Sequence, residues 1–129
     1  MKSLSIIAYV LGYSVALSAA EVDFVVSMTA LPGKAQAASE FWAKQMAAFR
    51  ATNPPGQTGL FAFMDGNKVI TVEQYVNEQA AYNWAINKTH VDGCLPILGL
   101  VDILSTTILT NANSGTQNAM MSALHGPTN

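Results

Sequence analysis

The stretch from Gln57 to Tyr75, "QTGLFAFMDGNKVITVEQY", constrains the fold more than any other. Apolar and polar residues alternate along "QTGLFAFM" and again along "NKVITVEQY", the period of strands with two unlike faces. Asp65-Gly66 stands between the two runs. Such a pair is a strong hairpin signal, because a type I′ turn needs positive φ at both central positions.

The flanks supply what the hairpin packs on. Val22 to Ala30, "VDFVVSMTA", reads as a strand with Val22, Phe24, Val26 and Met28 on one face and Asp23, Val25, Ser27 and Thr29 on the other. Leu31-Pro32-Gly33 breaks it. From Lys34 to Ala51 the period becomes helical, with Ala38, Trp42, Met46 and Phe49 forming one apolar stripe and Glu40 and Lys44 paired on the solvent side. Asn53-Pro54-Pro55-Gly56 ends that helix, since a residue before proline is pushed out of helical geometry. Beyond the hairpin, Asn77 suits an N-cap for a helix from Glu78 to about Lys88. A looser apolar stretch interrupted by Gly93 and Pro96 follows, and then a last strand, Val101 to Thr110. Residues 111–129 are polar with a short apolar patch, Ala119 to Leu124, and are expected to form a mobile tail.

The order β-α-β-β-α-β predicts an α+β, ferredoxin-like domain over residues 21–110, a four-stranded antiparallel sheet with two helices on one face. Neither face of the third or fourth strand is purely polar. Val69, Thr71, Glu73 and Tyr75 oppose Ile70, Val72 and Gln74; Ile103, Ser105, Thr107 and Leu109 oppose Leu104, Thr106 and Ile108. A sheet with water on its open side should alternate more cleanly, so a homodimer that buries the second face is expected.

Residues 1–20 read differently. Lys2 precedes an apolar run from Leu4 to Leu17 that ends in Ser18-Ala19-Ala20, the pattern of a signal peptide cut before Glu21 and hence of a secreted or extracytoplasmic protein. Left uncleaved, the same run would be a membrane anchor, though Ser5, Gly12 and Ser14 dilute it. The charge of −2, with six Lys and Arg residues scattered along the chain, offers no phosphate-binding patch and argues against nucleic acid. Cys94 is the only cysteine, so no intramolecular disulfide framework exists, and a lone thiol is either inert core or a nucleophile. Asn87-Lys88-Thr89 is a glycosylation sequon in a eukaryotic host. His90 and His125 have no Cys or carboxylate at ligand spacing, so no metal is expected. Phosphate loop, nucleophile elbow and dinucleotide fingerprint are all missing, so any enzyme here would demand little of cofactors.

Over Val22 to Thr110 the chain resembles the antibiotic-biosynthesis-monooxygenase family of the dimeric α/β-barrel superfamily. The resemblance rests on the order and spacing of Pro32-Gly33, Pro55-Gly56, Gly59, Asp65-Gly66, Glu73-Gln74-Tyr75, Asn77 and Glu78-Gln79-Ala80. It implies a dimeric α/β barrel, and cofactor-independent oxygenation of a quinol-like or polycyclic aromatic compound, a small hydrophobic partner. The family pattern usually has Trp where Tyr75 stands, and often His near Trp84 and His90. Haem-degrading relatives use Asn, Trp and His where this chain has Val26, Tyr75 and either Cys94 or His90, which speaks against haem chemistry.

Each candidate residue has a functional and a plain reading. Glu73 is a base for a phenolic proton or an interface carboxyl held by backbone or a partner residue. Tyr75 orients an aromatic ring or fills the sheet–helix junction. His90 is a general base or a capping or surface residue. Trp42 and Trp84 wall a pocket or belong to the core. Gln74, Ser27 and Phe63 complete the expected substrate contacts. A non-catalytic extracytoplasmic ligand-binding or dimerisation module of the same fold is the alternative to the oxygenase, and a haem-handling relative the weaker one.

Overall fold

The computed structural model describes residues 21–126. The expectations for residues 1–20, a cleaved signal or an anchor, lie outside the described residues. Among the described residues no helix is long and apolar enough to cross a membrane.

Along the chain run β1 (Val22–Ala30), α1 (Ala35–Ala51), β2 (Gln57–Asp65), β3 (Lys68–Tyr75), α2 (Glu78–Ala85), α3 (Lys88–Cys94), a 3-10 turn (Leu95–Gly99), β4 (Val101–Thr110) and α4 (Ser114–His125). The strands form one antiparallel sheet in the order β2-β3-β1-β4. The expected βαββαβ frame is therefore present, with the second helix replaced by several pieces and one helix added.

The alternation decides which face goes inward. Phe24, Val26 and Met28 of β1 are fully buried. Pairing in register puts Glu73, Thr71 and Val69 of β3 beside them on the same face. Leu60 and Ala62 of β2 and Ile108 and Thr110 of β4 continue these rows. The α1 stripe of Ala38, Trp42, Met46 and Phe49 is buried as its spacing predicts, and α1 covers β2 and β3.

The hairpin turn lies one residue later than expected. Asp65 pairs with Lys68, leaving Gly66-Asn67 as the central residues, and only Gly66 has positive φ (64°). Glycine at the first central position is the II′ pattern, which removes the need for a second strained residue. Gly56 (φ 78°) lets the chain turn into β2 hard against α2: a Cβ there would sit 2.6 Å from that of Ala80.

Two helix expectations are corrected. The helix starting at Glu78 is capped by Asn77, whose side chain accepts from Ala80 N–H, but it stops at Ala85 rather than about Lys88. Asn87 then caps α3 by accepting from Thr89 N–H at 2.8 Å, a local bond that competes with continuing the first helix. The segment taken for a mobile tail contains α4, capped by Asn113 and burying Thr116, Met120, Ala123 and Leu124. That spacing is one helical face, so packing overrides the polar composition.

The outer sheet face is apolar, and nothing among the described residues covers it. Phe61, Phe63, Leu104 and Leu109 are 49, 53, 89 and 66% exposed. Val25, Ile70 and Val72 lie among them, half-buried. Where β4 shifts register against β1, Ser105 accepts from Thr29 N–H and donates to Asp102 C=O, so side-chain oxygen replaces the lost ladder bonds.

Candidate functional site

Glu73 and Tyr75 end β3 on the inner face, two residues apart and therefore on the same side of the strand. The Tyr75 hydroxyl donates to Glu73 Oε1 at 2.6 Å, and Gln57 Nε2 donates to the Tyr75 oxygen at 3.3 Å. Phe24 stands edge-on to Tyr75, their centroids 6.2 Å apart. Glu73, Tyr75 and Cys94 are 4, 0 and 1% exposed.

Burial sets the electrostatics. Removing the Glu73 carboxylate from water pushes its pKa up from 4.5 to about 7, against the opposing pull of the Tyr75 hydrogen bond. Tyr75 is raised well above the ordinary phenol value, first by burial and then by the neighbouring Glu73 charge. The Cys94 thiol is raised by burial and by Glu73. Near neutral pH the cluster thus holds a protonated phenol, a protonated thiol and a carboxyl poised between its two forms. A base with a pKa close to the working pH is well matched to proton abstraction.

The other expected residues do not all join this cluster. His90 is buried at 2%, and the Ala85 carbonyl, 3.2 Å from Nδ1, fixes that nitrogen as the donor. Its ring packs on Trp84 (5.0 Å) and Phe49 (5.6 Å). Burial lowers its pKa from 6.5 to about 4, despite backbone hydrogen bonds that favour the charged form. It is a neutral core histidine in an aromatic nest, and its partners are Ala85, Trp84 and Phe49 rather than Glu73.

Trp42 lies edge-on to Phe41 at 5.1 Å and borders a hollow of about 50 Å³ at the β2 side. Trp84 borders a cleft of about 160 Å³ walled by Pro54, Pro55 and Asn83. The indole N–H groups of Trp42 and Trp84 are both buried without a hydrogen-bond partner. Neither of these two clefts is lined by Glu73.

Ser27, Gln74 and Phe63 belong to the opposite face. Ser27 pairs with Ile70, which pairs with Phe63, and Gln74 alternates with Glu73 and Tyr75 along β3. They do not share the inner face with Glu73 and Tyr75, which corrects the expectation of a single set of substrate contacts. The Gln74 Oε1 is buried without a partner, and a Cβ at Gly59 would collide with it, so the glycine makes room for that amide.

The sequence reading did not place Gln57 at the site. The sequence carried no direct signal for it: a register drawn outward from the turn sets Thr58 opposite Tyr75, and only the shift between Gln57 and Gly59 brings Gln57 there. Among the described residues, no three His, Cys, Asp or Glu side chains converge as a metal site requires.

No family model matches the sequence, and no curated protein is similar to it in sequence. Solved structures are similar in shape. A dimeric protein of unknown function from Bacteroides fragilis, described as having a ferredoxin-like fold, superposes with TM-score 0.61 at 10% identity over 72% of this chain and 96% of its own. The chain has that ferredoxin-like fold. A candidate antibiotic biosynthesis monooxygenase from Chloroflexus aurantiacus superposes with TM-score 0.57 at 13% identity, over 74% of this chain and 95% of its own. SnoaB of Streptomyces nogalater, described as a cofactor-independent oxygenase, does so with TM-score 0.58 at 14% identity, over 73% and 93%. Within this ferredoxin-like frame the neighbours are matched almost whole, whereas about a quarter of the present chain lies outside the match.

Proposed function

We propose that this chain is a small cofactor-independent monooxygenase of a quinol-like or polycyclic aromatic compound, working as a homodimer, with Glu73 as its base. The observation that carries the reading is the Glu73 carboxyl, raised to about 7 and hydrogen-bonded to the Tyr75 phenol at 2.6 Å within the buried core. A phenol or an anthrone methylene that displaced Tyr75 from Glu73 would give its proton to the carboxylate. The resulting electron-rich anion reduces O2 directly and combines with it. Loss of water from the peroxide leaves a new carbonyl, one oxygen atom in the product and one in water. The substrate supplies all the electrons, so no reductant or cofactor enters the balance. Tyr75 then orients the ring and Phe24 packs against it.

The homodimer is supported by the apolar outer face on which Phe61, Phe63, Leu104 and Leu109 are exposed, since apolar patches of this kind mark interfaces, and by the dimer described for the Bacteroides fragilis neighbour. Export with a cut after Ala20 belongs to the same proposal, on the strength of the sequence pattern at residues 1–20.

Oxygen consumption on a panel of hydroquinones and anthrones tests the reading. Turnover by the full chain and its loss in Glu73→Gln are expected; equal turnover in that variant and in His90→Ala removes the base assignment. A second reading, the non-catalytic ligand-binding or dimerisation module, is favoured by the sealed state of Glu73. It expects saturable binding of a hydrophobic compound with no oxygen uptake. Haem handling is the weakest alternative, because a His90 ligand would have to leave Ala85 and its aromatic neighbours.

A further inference from the structure

The cleft beside Trp84 lies where the loop that ends α1 meets the break between α2 and α3, and it measures about 160 Å³. An apolar cavity of about 150 Å³ takes a benzene molecule, so this space is the size of a single ring. The hollow beside Trp42, about 50 Å³, is too small for one. The walls beside Trp84 are fixed before any ligand arrives. Pro54 and Pro55 have locked φ, the Pro54 carbonyl accepts from Gln57 N–H at 3.1 Å, and Asn53 N–H donates to the Arg50 carbonyl at 2.9 Å. Asn53 takes a left-handed φ of 51° just before the prolines. The Trp84 ring is held by Phe49 and His90, at 5.1 and 5.0 Å.

The hydrogen-bonding groups around this cleft are mostly donors. Asn83 Oδ1 accepts from Gln79 Nε2 and Asn87 Oδ1 from Thr89 N–H, both at 2.8 Å, so each lining amide has its NH2 group left to offer. Trp84 is 4% exposed, and its indole N–H, a donor only, is buried without a partner. The Thr52 hydroxyl donates to the Phe49 carbonyl at 2.7 Å, which leaves its oxygen as an acceptor. No Asp, Glu, Lys or Arg lines the cleft, and the neighbouring Lys88 and Asp92 pair with each other. Proline and indole surfaces, an excess of donors and no charge suit a flat, uncharged ring that carries a carbonyl.

We propose that this cleft is a binding site for an uncharged, single-ring aromatic compound bearing a carbonyl. The Asn83 and Asn87 amides hold the carbonyl oxygen, and Trp84 and the two prolines hold the ring. The site is separate from Glu73, which does not line it, and it stands whether or not Glu73 is a base. Benzamide is the probe, titrated into the isotope-labelled full chain and followed by magnetic resonance. The sequence has two tryptophans, so their indole N–H signals serve as site and internal control. The Trp84 signal is assigned through the contacts of its ring with Phe49 and His90. Saturable movement of the Trp84 signal is expected, with the Trp42 signal unmoved. Benzoate and benzylamine carry the same ring with a charge and bind at least about 10-fold more weakly, since the cleft offers nothing to offset their lost hydration. Asn83→Asp, an exposed position on α2, replaces a donor with an acceptor and weakens benzamide by at least about 10-fold. Ser39→Ala, at the hollow beside Trp42, leaves the affinity within about 2-fold. Absence of saturable movement overturns the site, as does parallel movement of both indoles. Benzoate binding as tightly as benzamide, or an Asn83→Asp chain binding as the wild type does, overturns it equally.

Discussion

At the scale of single residues, two buried titrating groups pull stability in opposite directions. Glu73 holds its proton to about pH 7 in the folded chain but to about 4.5 unfolded. Its contribution is therefore full below pH 4.5 and is lost as pH rises to about 7, by roughly 3 kcal/mol at 1.36 kcal/mol per unit. His90 has its folded pKa at about 4 against 6.5 unfolded, so its contribution is present above pH 6.5 and is lost on acidification through about 4, again by roughly 3 kcal/mol. Between pH 4.5 and 6.5 the two slopes cancel, and urea unfolding of the wild type should be nearly flat there. Glu73→Gln should instead gain stability with rising pH over that window, and His90→Phe should lose it. Parallel pH profiles for wild type and both variants would mean that neither group titrates as its burial implies. Glu73 and Tyr75 were legible in the sequence as polar residues on an otherwise apolar strand. Alternation along β3 already set Gln74 on the opposite face, whereas the separation of Ser27 and Phe63 depends on the register between strands, which parity within one strand does not give.

At the scale of elements, strand spans and the α1 stripe followed from period and breakers, because β-branched alternation and a four-residue apolar spacing each fit one geometry. The helix of residues 114–125 did not. Its Ser, Asn, Thr and Gln content resembles a solvated tail, and only the Thr116, Met120, Ala123 and Leu124 spacing behind the Asn113 cap betrays a buried face. Met120→Ala should cost about 2–5 kcal/mol in chemical unfolding, as for a buried Met, whereas a tail residue would change stability by less than about 0.5 kcal/mol. Removing either cap, Asn77→Ala or Asn113→Ala, should cost about 1 kcal/mol, measured the same way. A negligible change at Asn113 would contradict the bond it accepts from Thr116 N–H at 2.9 Å. The Ile86–Asn87 break was hidden for a related reason: Asn is tolerated weakly inside helices, and only its bond to Thr89 N–H shows that it starts a new one.

At the scale of the molecule, one sheet face is sealed by helices and the other exposes Phe61, Phe63, Leu104 and Leu109. That asymmetry was anticipated by the mixed parity of the strands, and it makes the association state a sharp test. Leu104→Lys in a monomer should be neutral within about 0.5 kcal/mol, since the side chain is 89% exposed there. In a two-fold dimer it places like charges near the symmetry-related face, and native mass spectrometry should show the dimer of the wild type dissociating to monomers. A wild type that is already monomeric removes the homodimer from the proposal.

The measurement that bears most directly on the central claim, a base poised near neutrality by burial, is carbon-detected magnetic resonance titration of the Glu73 carboxyl in the full chain. A midpoint close to 7, absent from the spectrum of Glu73→Gln and shifted in Tyr75→Phe, is the expected result. A midpoint near 4.5 would mean that water reaches the carboxyl and that no base of the required strength exists at this site.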